Sequence, residues 1–184
     1  MKRVVFSTLM FAALLCIHCG DKGLVMTVDL LSYIDPEYIT TTYGPIPPGV
    51  PTTVADLIDV QANLLEGVDE ATALKSATLK IGAKFDNQTG SATGSLRLYI
   101  ADVDEPDPFA GAPVADIPVA LQPAQTTTIA EEIPTTPELL AVLTTDEARF
   151  ALRITYNTQG SANDLLGAVT LTELTAVLVT ETDL

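Results

Sequence analysis

The chain has 184 residues, of which 24 are acidic and nine are basic, so its formal net charge is −15. Nucleic acid and anionic lipid head groups repel a protein of this charge, which excludes electrostatic binding to either. The composition includes one histidine, two cysteines and no tryptophan. A chain of this length suffices for one ordinary domain that buries roughly two thirds of its unfolded surface.

The first twenty residues have the layout of a secretory signal. Lys2 and Arg3 precede a nearly continuous apolar run from Val4 to Ile17. A helix that spans a bilayer needs about 20 apolar residues, and this run is shorter. The sequence therefore predicts a signal peptide over residues 1–18 that is removed on export, rather than a permanent membrane anchor.

A cysteine ends this apolar run where a signal peptide otherwise has small residues. The stretch LLCIHCGD, residues 14–21, resembles the lipobox of bacterial lipoproteins. The resemblance implies that the thiol of Cys19 carries a diacylglycerol, that Cys19 is the first mature residue, and that residues 19–24 form a tether. The alternatives are Cys16 as the lipid acceptor and plain secretion without a lipid. Seven basic residues then remain against 24 acidic ones, a net charge of −17.

The sequence contains few cysteines and histidines, the residues on which thiol- or imidazole-based catalytic and metal sites depend. Cys16 and Cys19 form a C-x-x-C spacing, which redox pairs and metal sites use, but the one histidine, His18, lies between them. No cysteine or histidine follows Cys19, which excludes a zinc or iron site of such ligands and a Ser-His or Cys-His nucleophile in the mature chain. We therefore predict that the protein is not an enzyme, with a carboxylate-dependent hydrolase as the catalytic alternative.

Short segments in which apolar and polar residues alternate predict an all-β protein. Two of these segments, Ala77–Phe85 and Ser95–Ala101, are predicted to pair with each other at the centre of the core. A change of phase in the last segment predicts a β-bulge near Thr172 and Glu173. The predicted strands are 25–34, 54–64, 77–85, 95–101, 114–121, 126–133, 149–156 and 168–180, and a helix of one or two turns is predicted over 137–143.

This pattern predicts an antiparallel β-sandwich of seven or eight strands, immunoglobulin-like or jelly-roll, in a single domain over residues 25–184. The spacing of elements from Ala77 to Tyr156 also resembles the β-sandwich of late-embryogenesis-abundant type 2 proteins. In both, a strand that ends here in Asp86-Asn87 is followed by a second strand and then by a polar run before the final strand. The resemblance concerns spacing only, and it implies the fold and no residue role.

Three tyrosines lie in or beside a segment that is predicted to be irregular, residues 35–53, which contains five prolines and two glycines. Exposed aromatic faces stack on sugar rings and other flat apolar surfaces. Tyr33, Tyr38 and Tyr43 are therefore a candidate ligand platform, for example for carbohydrate. The alternative is that they pack this long loop against its own sandwich.

One acidic cluster is a candidate calcium site, formed by Asp102, Asp104, Glu105 and Asp107. Calcium takes six to eight oxygen ligands from a flexible shell, and closely spaced carboxylates can supply several of them. The glycine and the final glutamate of an EF-hand loop are absent here. Solvated loop charges are the alternative interpretation, and no other cofactor is predicted.

These observations predict a lipid-anchored protein of the cell envelope with a structural or protein-interaction role. Its expected location is outside the cytoplasm, in the outer membrane where the cell has one. Its expected partners are the membrane, through the lipid, and other envelope proteins, but no nucleic acid. The alternatives are a calcium- or carbohydrate-binding module and, third, a carboxylate-dependent hydrolase.

Overall fold

The computed structural model describes residues 23–64, 72–144 and 147–182, which form two antiparallel β-sheets around a shared core. In this part of the chain there is one α-helix, α1 (Pro137–Leu143), and two short 3₁₀ helices span Leu30–Tyr33 and Pro36–Tyr38. The strands are β1 (Gly23–Asp29), β2 (Thr40–Ile46), β3 (Thr53–Ala62), β4 (Thr72–Thr89), β5 (Ala92–Asp102), β6 (Ala115–Leu121), β7 (Gln125–Pro134), β8 (Ala148–Asn157) and β9 (Leu165–Thr182).

The prediction of an all-β antiparallel sandwich is confirmed. The first sheet has the order β1-β9-β4-β7, and the second has the order β3-β8-β5-β6. β2 also pairs with β9, along residues 165–170, whereas β1 pairs with residues 175–181 of the same strand. The nine strands of the described residues therefore occupy eight positions, four in each sheet.

The connections show which kind of sandwich this is. From β2 to β9 the chain crosses to the other sheet at every step except β5 to β6, which pair as neighbours. An immunoglobulin-like sandwich instead keeps several consecutive strands in one sheet. Of the two predicted alternatives, the observed order is that of a jelly roll, two four-stranded sheets built from Greek keys.

The predicted pairing of residues 77–85 with residues 95–101 is wrong. β4 pairs with β7 and β9 in the first sheet, whereas β5 pairs with β6 and β8 in the second. The alternating pattern placed the inward residues of both strands correctly, because alternation reports which face of a strand is buried. It does not report which strand lies alongside. The two strands face each other across the core instead of sharing hydrogen bonds.

The core is built from the facing sides of both sheets. Burying one large apolar side chain contributes roughly 1.5–3 kcal/mol, so the alternating residues of the four inner strands carry much of the stability. The fully buried side chains include Leu79, Ile81 and Phe85 of β4, Leu96 and Leu98 of β5, Phe150, Leu152 and Ile154 of β8, and Leu174, Ala176 and Leu178 of β9.

The predicted β-bulge in β9 is confirmed. Gly82 of β4 is opposite Glu173 and Ala83 is opposite Leu171, so Thr172 is the extra residue. The bulge restores the inward phase, which buries the leucines on both sides of it. A Cβ atom at Gly82 would come within 2.7 Å of the Thr172 hydroxyl, so the bulged strand passes close to this glycine.

The N-terminal third differs from the prediction in three places. β1 begins at Gly23, so Gly23 and Leu24 belong to the sheet and not to the predicted tether of residues 19–24. The first strand ends at Asp29 instead of continuing to Ile34, because a 3₁₀ helix follows it. The segment 35–53, predicted to be irregular, contains β2. β2 forms its described ladder on one side only, with β9, and a strand at such an edge tolerates prolines.

The short helix α1 is confirmed at the predicted position. Pro137 is its first residue, and the hydroxyl of Thr136 accepts a hydrogen bond from the backbone N–H of Leu139 at 3.3 Å. Among the described residues, no helix has the length and hydropathy that crossing a bilayer requires.

Candidate functional site

A cleft of about 350 Å³ lies at one edge of the sandwich, between the two 3₁₀ helices and β3. β3 is the outermost strand of the second sheet among the described strands. The 3₁₀ helices connect β1 to β2, which lie at the neighbouring edge of the first sheet. The lining residues are Tyr33, Ile34, Asp35 and Tyr38 on one side and Leu57, Ile58, Asp59 and Val60 on the other.

Capped turns shape the tyrosine side of the cleft. The carboxylate of Asp29 accepts a hydrogen bond from the backbone N–H of Leu31 at 3.0 Å. The carboxylate of Asp35 accepts one from the backbone N–H of Glu37 at 3.3 Å. Aspartate suits these positions because its short side chain reaches the free N–H groups of a first turn. The local sequence therefore specifies the two turns on which the tyrosines stand.

Two buried side chains orient this segment. Leu30 is fully buried and Ile34 nearly so, which fixes one face of the segment against the core. Tyr33 and Tyr38 are 40% and 57% exposed, unlike most large apolar or aromatic residues of this chain. Both line the cleft, so the structure brings these two predicted platform residues together.

Tyr43, the third predicted platform residue, lies in the core. It belongs to β2, is 4% exposed, and its ring centroid is 5.1 Å from that of Tyr156. Its hydroxyl donates a hydrogen bond to the Asn87 side-chain oxygen at 3.4 Å. Burial raises the pKa of Tyr43 to about 12. For Tyr43 the correct interpretation was the packing one, and a platform of all three tyrosines is wrong.

Asn87 and Tyr156 complete the buried surroundings of Tyr43. The Asn87 amide donates hydrogen bonds to the backbone oxygens of Gly90 and Gln122, each at 2.8 Å. Burial raises the pKa of Tyr156, whose hydroxyl has no hydrogen-bond partner among the described groups. This cluster ties four chain segments together, namely β2, the end of β4, the turn between β6 and β7, and β8, and none of its residues lines the cleft.

Asp59 on the opposite wall of the cleft is held by an arginine from β8. Arg149 forms a two-point contact with it, in which the Nε–Oδ1 distance is 2.7 Å. This hydrogen bond raises the pKa of Arg149. Arg149 also donates to the backbone oxygen of Glu105 at 2.6 Å. One guanidinium therefore links the cleft to the acidic loop.

In the acidic loop, residues 102–109, the carboxylates accept hydrogen bonds from backbone N–H groups of the loop itself. Asp102 accepts a hydrogen bond from the N–H of Asp104 at 3.1 Å, and Asp107 accepts one from the N–H of Phe109 at 3.0 Å. Glu105 accepts a longer one, 3.5 Å, from the N–H of Asp107. Within the described ranges, no three His, Cys, Asp or Glu side chains are grouped as a metal ion needs. The structure thus does not bring Asp102, Asp104, Glu105 and Asp107 together, and calcium binding here stays a prediction without geometric support.

The same loop folds back over the outer face of the second sheet. The ring of Phe109 packs edge-on against Tyr99, with 5.2 Å between centroids, and the guanidinium of Arg153 lies 3.8 Å from the centre of that ring. Arg153 is in turn paired with Asp56 of β3. The loop that contains the predicted calcium ligands is therefore attached to the sheet by an aromatic and cationic contact.

The predicted lipidation site, Cys19, and the alternative, Cys16, lie outside the described residues. Sequence reasoning missed Asp35 and Asp59 as lining residues beside the tyrosines, and Arg149 as the partner of Asp59. Alternation did place Asp59 on the polar face of its strand, and Asp35-Pro36 is typical of a turn. No sequence signal indicated that β3 passes beside residues 33–38, which depends on the order of strands.

Neither a family model nor a curated protein matches this chain. Solved structures with a similar chain path include the crystal structure of the infectious bursal disease virus VP2 subviral particle. Its TM-score is 0.45 at 14% identity, covering 99% of this chain and 37% of that one. Structures of the Gx and Gt strains of the same virus each have a TM-score of 0.45 at 13% identity, with 99% of this chain and 36% of the other covered.

The described chain thus spans little more than a third of the length of these viral proteins. At this identity and TM-score, the likeness assigns no residue role and no activity to this chain.

Proposed function

We propose that this chain is a lipid-anchored protein of the cell envelope, with a structural or protein-interaction role and no catalytic one. The observation that carries the proposal is the position of Cys19. It ends the apolar run of a signal-like segment, and it comes four residues before Gly23, where β1 begins. A lipidated cysteine in that position would lead directly into the folded body.

The pairing of β1 indicates which end of the sandwich such an anchor would hold. Gly23 is opposite Glu181, and Thr72 is opposite Thr182, so the chain enters where β9 ends and β4 begins. Four extended steps of the chain cover at most about 14 Å. A lipid on Cys19 would therefore keep this end of the sandwich close to the bilayer surface.

The cleft lies beyond the far end of β1. That strand has seven residues, and at about 3.3 Å per residue the 3₁₀ helices begin about 20 Å from Gly23. The mature net charge of −17 also opposes contact between the body and anionic head groups. The distance and the charge both favour a folded domain whose cleft lies away from the membrane surface, where other envelope proteins can reach it.

The non-catalytic part of the proposal is supported by the composition of the mature chain. No histidine and no further cysteine follows Cys19, so the common activated nucleophiles have no base or thiol to use. The two carboxylates of the cleft lining, Asp35 and Asp59, already hold a backbone N–H and a guanidinium. Those contacts favour a structural use of both groups over a hydrolytic one.

Mass spectrometry of the protein purified from its native membrane tests the anchor. We expect a mature N-terminus at Cys19 that carries acyl chains. We expect Cys19→Ala to abolish the acyl mass and to release the protein from the membrane fraction. Cys16→Ala is the matched control, and it should retain both. An intact Met1, or an unmodified Cys19, would contradict the proposal.

A further inference from the structure

The cleft combines aromatic, acidic and apolar groups. Tyr33 and Tyr38 are the exposed aromatic residues of its lining, and the nearly buried Leu57 and Ile58 line its β3 side. Asp35 adds a carboxylate to the same lining. A tyrosine ring attracts a cation to its face, and a carboxylate accepts hydrogen bonds from it, so the two groups select the same kind of ligand.

The charges around the cleft favour a positive ligand. Among the described residues, its lining contains two aspartates and no lysine, arginine or histidine. Asp59 is already paired with Arg149 of β8. Asp35 accepts one backbone N–H at 3.3 Å, and an ionised carboxylate retains further lone pairs for a second donor. Glu37 in the adjoining turn adds negative charge.

The shape of the cleft favours a cation on an apolar stem. Its volume of about 350 Å³ and the apolar residues Leu57 and Ile58 on its β3 side suit several methylene groups more than a bare hydrated ion. An anionic ligand would meet uncompensated negative charge from Asp35, and a neutral sugar would use the tyrosine faces without needing a carboxylate. A long basic side chain would use the tyrosine faces, the carboxylate of Asp35 and the apolar residues on the β3 side.

We infer that this cleft is a docking site for an arginine or lysine side chain presented by a partner protein. The inference rests on the proposed interaction role, and it names the chemistry of the partner. It does not depend on the lipid. Tyr33 and Tyr38 would flank the cationic group, Asp35 would accept its hydrogen bonds, and the β3 side would hold its stem.

Fluorescence anisotropy with labelled peptides tests this site in the full chain. The probe is a short glycine- and serine-rich peptide with one central arginine, compared with the same peptide carrying glutamine. We expect the arginine peptide to bind at least about tenfold more tightly, as the loss of one desolvated cation–π contact and its carboxylate partner implies. Equal binding, or no binding, of the two peptides would overturn the inference.

Variants distinguish the two parts of the site. Asp35→Asn keeps a good capping residue but removes the charge, and we expect it to weaken the arginine peptide several-fold. Glu131→Gln, an exposed acid on β7, removes the same charge elsewhere and should leave binding unchanged. If both variants weaken binding equally, only the overall charge of the protein attracts the peptide and the site is wrong.

The tyrosines are tested in the same way. Tyr38→Ala should weaken the arginine peptide about tenfold, whereas Tyr38→Phe, which keeps the ring, should bind nearly as the parent does. Tighter binding of a neutral oligosaccharide than of the arginine peptide, lost in Tyr38→Ala but kept in Asp35→Asn, would replace the inference with a sugar site. Cys19→Ala should bind the peptide normally, so that failure of the anchor and failure of the cleft are told apart.

Discussion

The tyrosines of residues 33–38 are exposed, whereas the tyrosine of β2 is buried. Tyr33 and Tyr38 stand on short 3₁₀ helices and face an open cleft, whereas Tyr43, five residues later, is buried beside Tyr156. Residue type and proximity in sequence are the same in both parts. The difference comes from β2, which begins at Thr40 and places Tyr43 on the inward face opposite Gly167 of β9.

Adjacent aromatic residues are therefore a poor guide to a binding surface unless the strands around them are known. In a strand, alternation fixes the direction of each side chain. In a short capped turn, the direction of the exposed side chains depends on which residues are buried, here Leu30 and Ile34. Substitutions at these positions, and the response of stability to alkaline pH, distinguish the buried tyrosine from the exposed ones.

Replacing Tyr43 by alanine is expected to cost the most stability. The change removes a buried aromatic ring from its contact with Tyr156, and such truncations cost about 3–5 kcal/mol of unfolding free energy. Urea denaturation followed by circular dichroism measures the loss. Tyr33→Ala is the matched control at an exposed position. A loss below about 1 kcal/mol for Tyr43→Ala would contradict its burial.

Asn87→Ala is expected to have the next largest effect. It leaves the backbone oxygens of Gly90 and Gln122 without the amide that now donates to both, and we expect a loss of about 2–3 kcal/mol. Denaturation midpoints measure this loss. Asn163→Ala, at an exposed loop position, should stay within about 0.5 kcal/mol of the parent. Equal effects of the two changes would show that the buried amide is not a structural hub.

Alkaline pH is expected to weaken the fold through ionisation of Tyr43. The pKa of Tyr43 is raised from 10.0 to about 12, so the folded state holds its proton longer than the unfolded state does. Its contribution is complete below pH 10 and is lost as the pH rises toward 12, with about 1 kcal/mol gone near pH 11.

Stability curves at several alkaline pH values measure that loss. Tyr43→Phe removes the ionisable hydroxyl but keeps the ring, so the variant should lose less stability over the same pH interval. An identical pH dependence in the variant and the parent would assign the effect to other groups.

Tyr38→Ala is expected to have the smallest effect. The ring is more than half exposed and its removal leaves no cavity in the core, so the change in unfolding free energy should stay within about 0.5 kcal/mol. The same denaturation experiment measures it. A loss above about 1 kcal/mol would mean that this ring packs against the sandwich as Tyr43 does.

The sequence carried the inward and outward faces of the strands well. The alternation within residues 77–85 and 95–101 indicated a buried face at the centre of the core, and Leu79, Phe85, Leu96 and Leu98 on that face are all buried. The phase change in β9 identified its bulge at Thr172. These features could be predicted because each depends on a few neighbouring residues and on the period of the strand.

Strand partners could not be predicted in this way. β4 and β5 follow one another in sequence, which made a hairpin the simplest expectation, yet the chain crosses the core between them. The cleft shares this origin, because Asp59 reaches the side of Tyr33 and Tyr38 only through the placement of β3. Register between distant segments depends on the whole set of core contacts, which no local pattern contains.

The position of β9 has a consequence for the order in which this chain can assemble. This last described strand pairs with β1, β2 and β4. The first sheet therefore lacks the strand that joins these three until residues 165–182 are available. Contacts between residues so far apart in the chain form slowly. A polypeptide that emerges with its N-terminus first would therefore lack the strand that joins β1, β2 and β4 until residues 165–182 have been released.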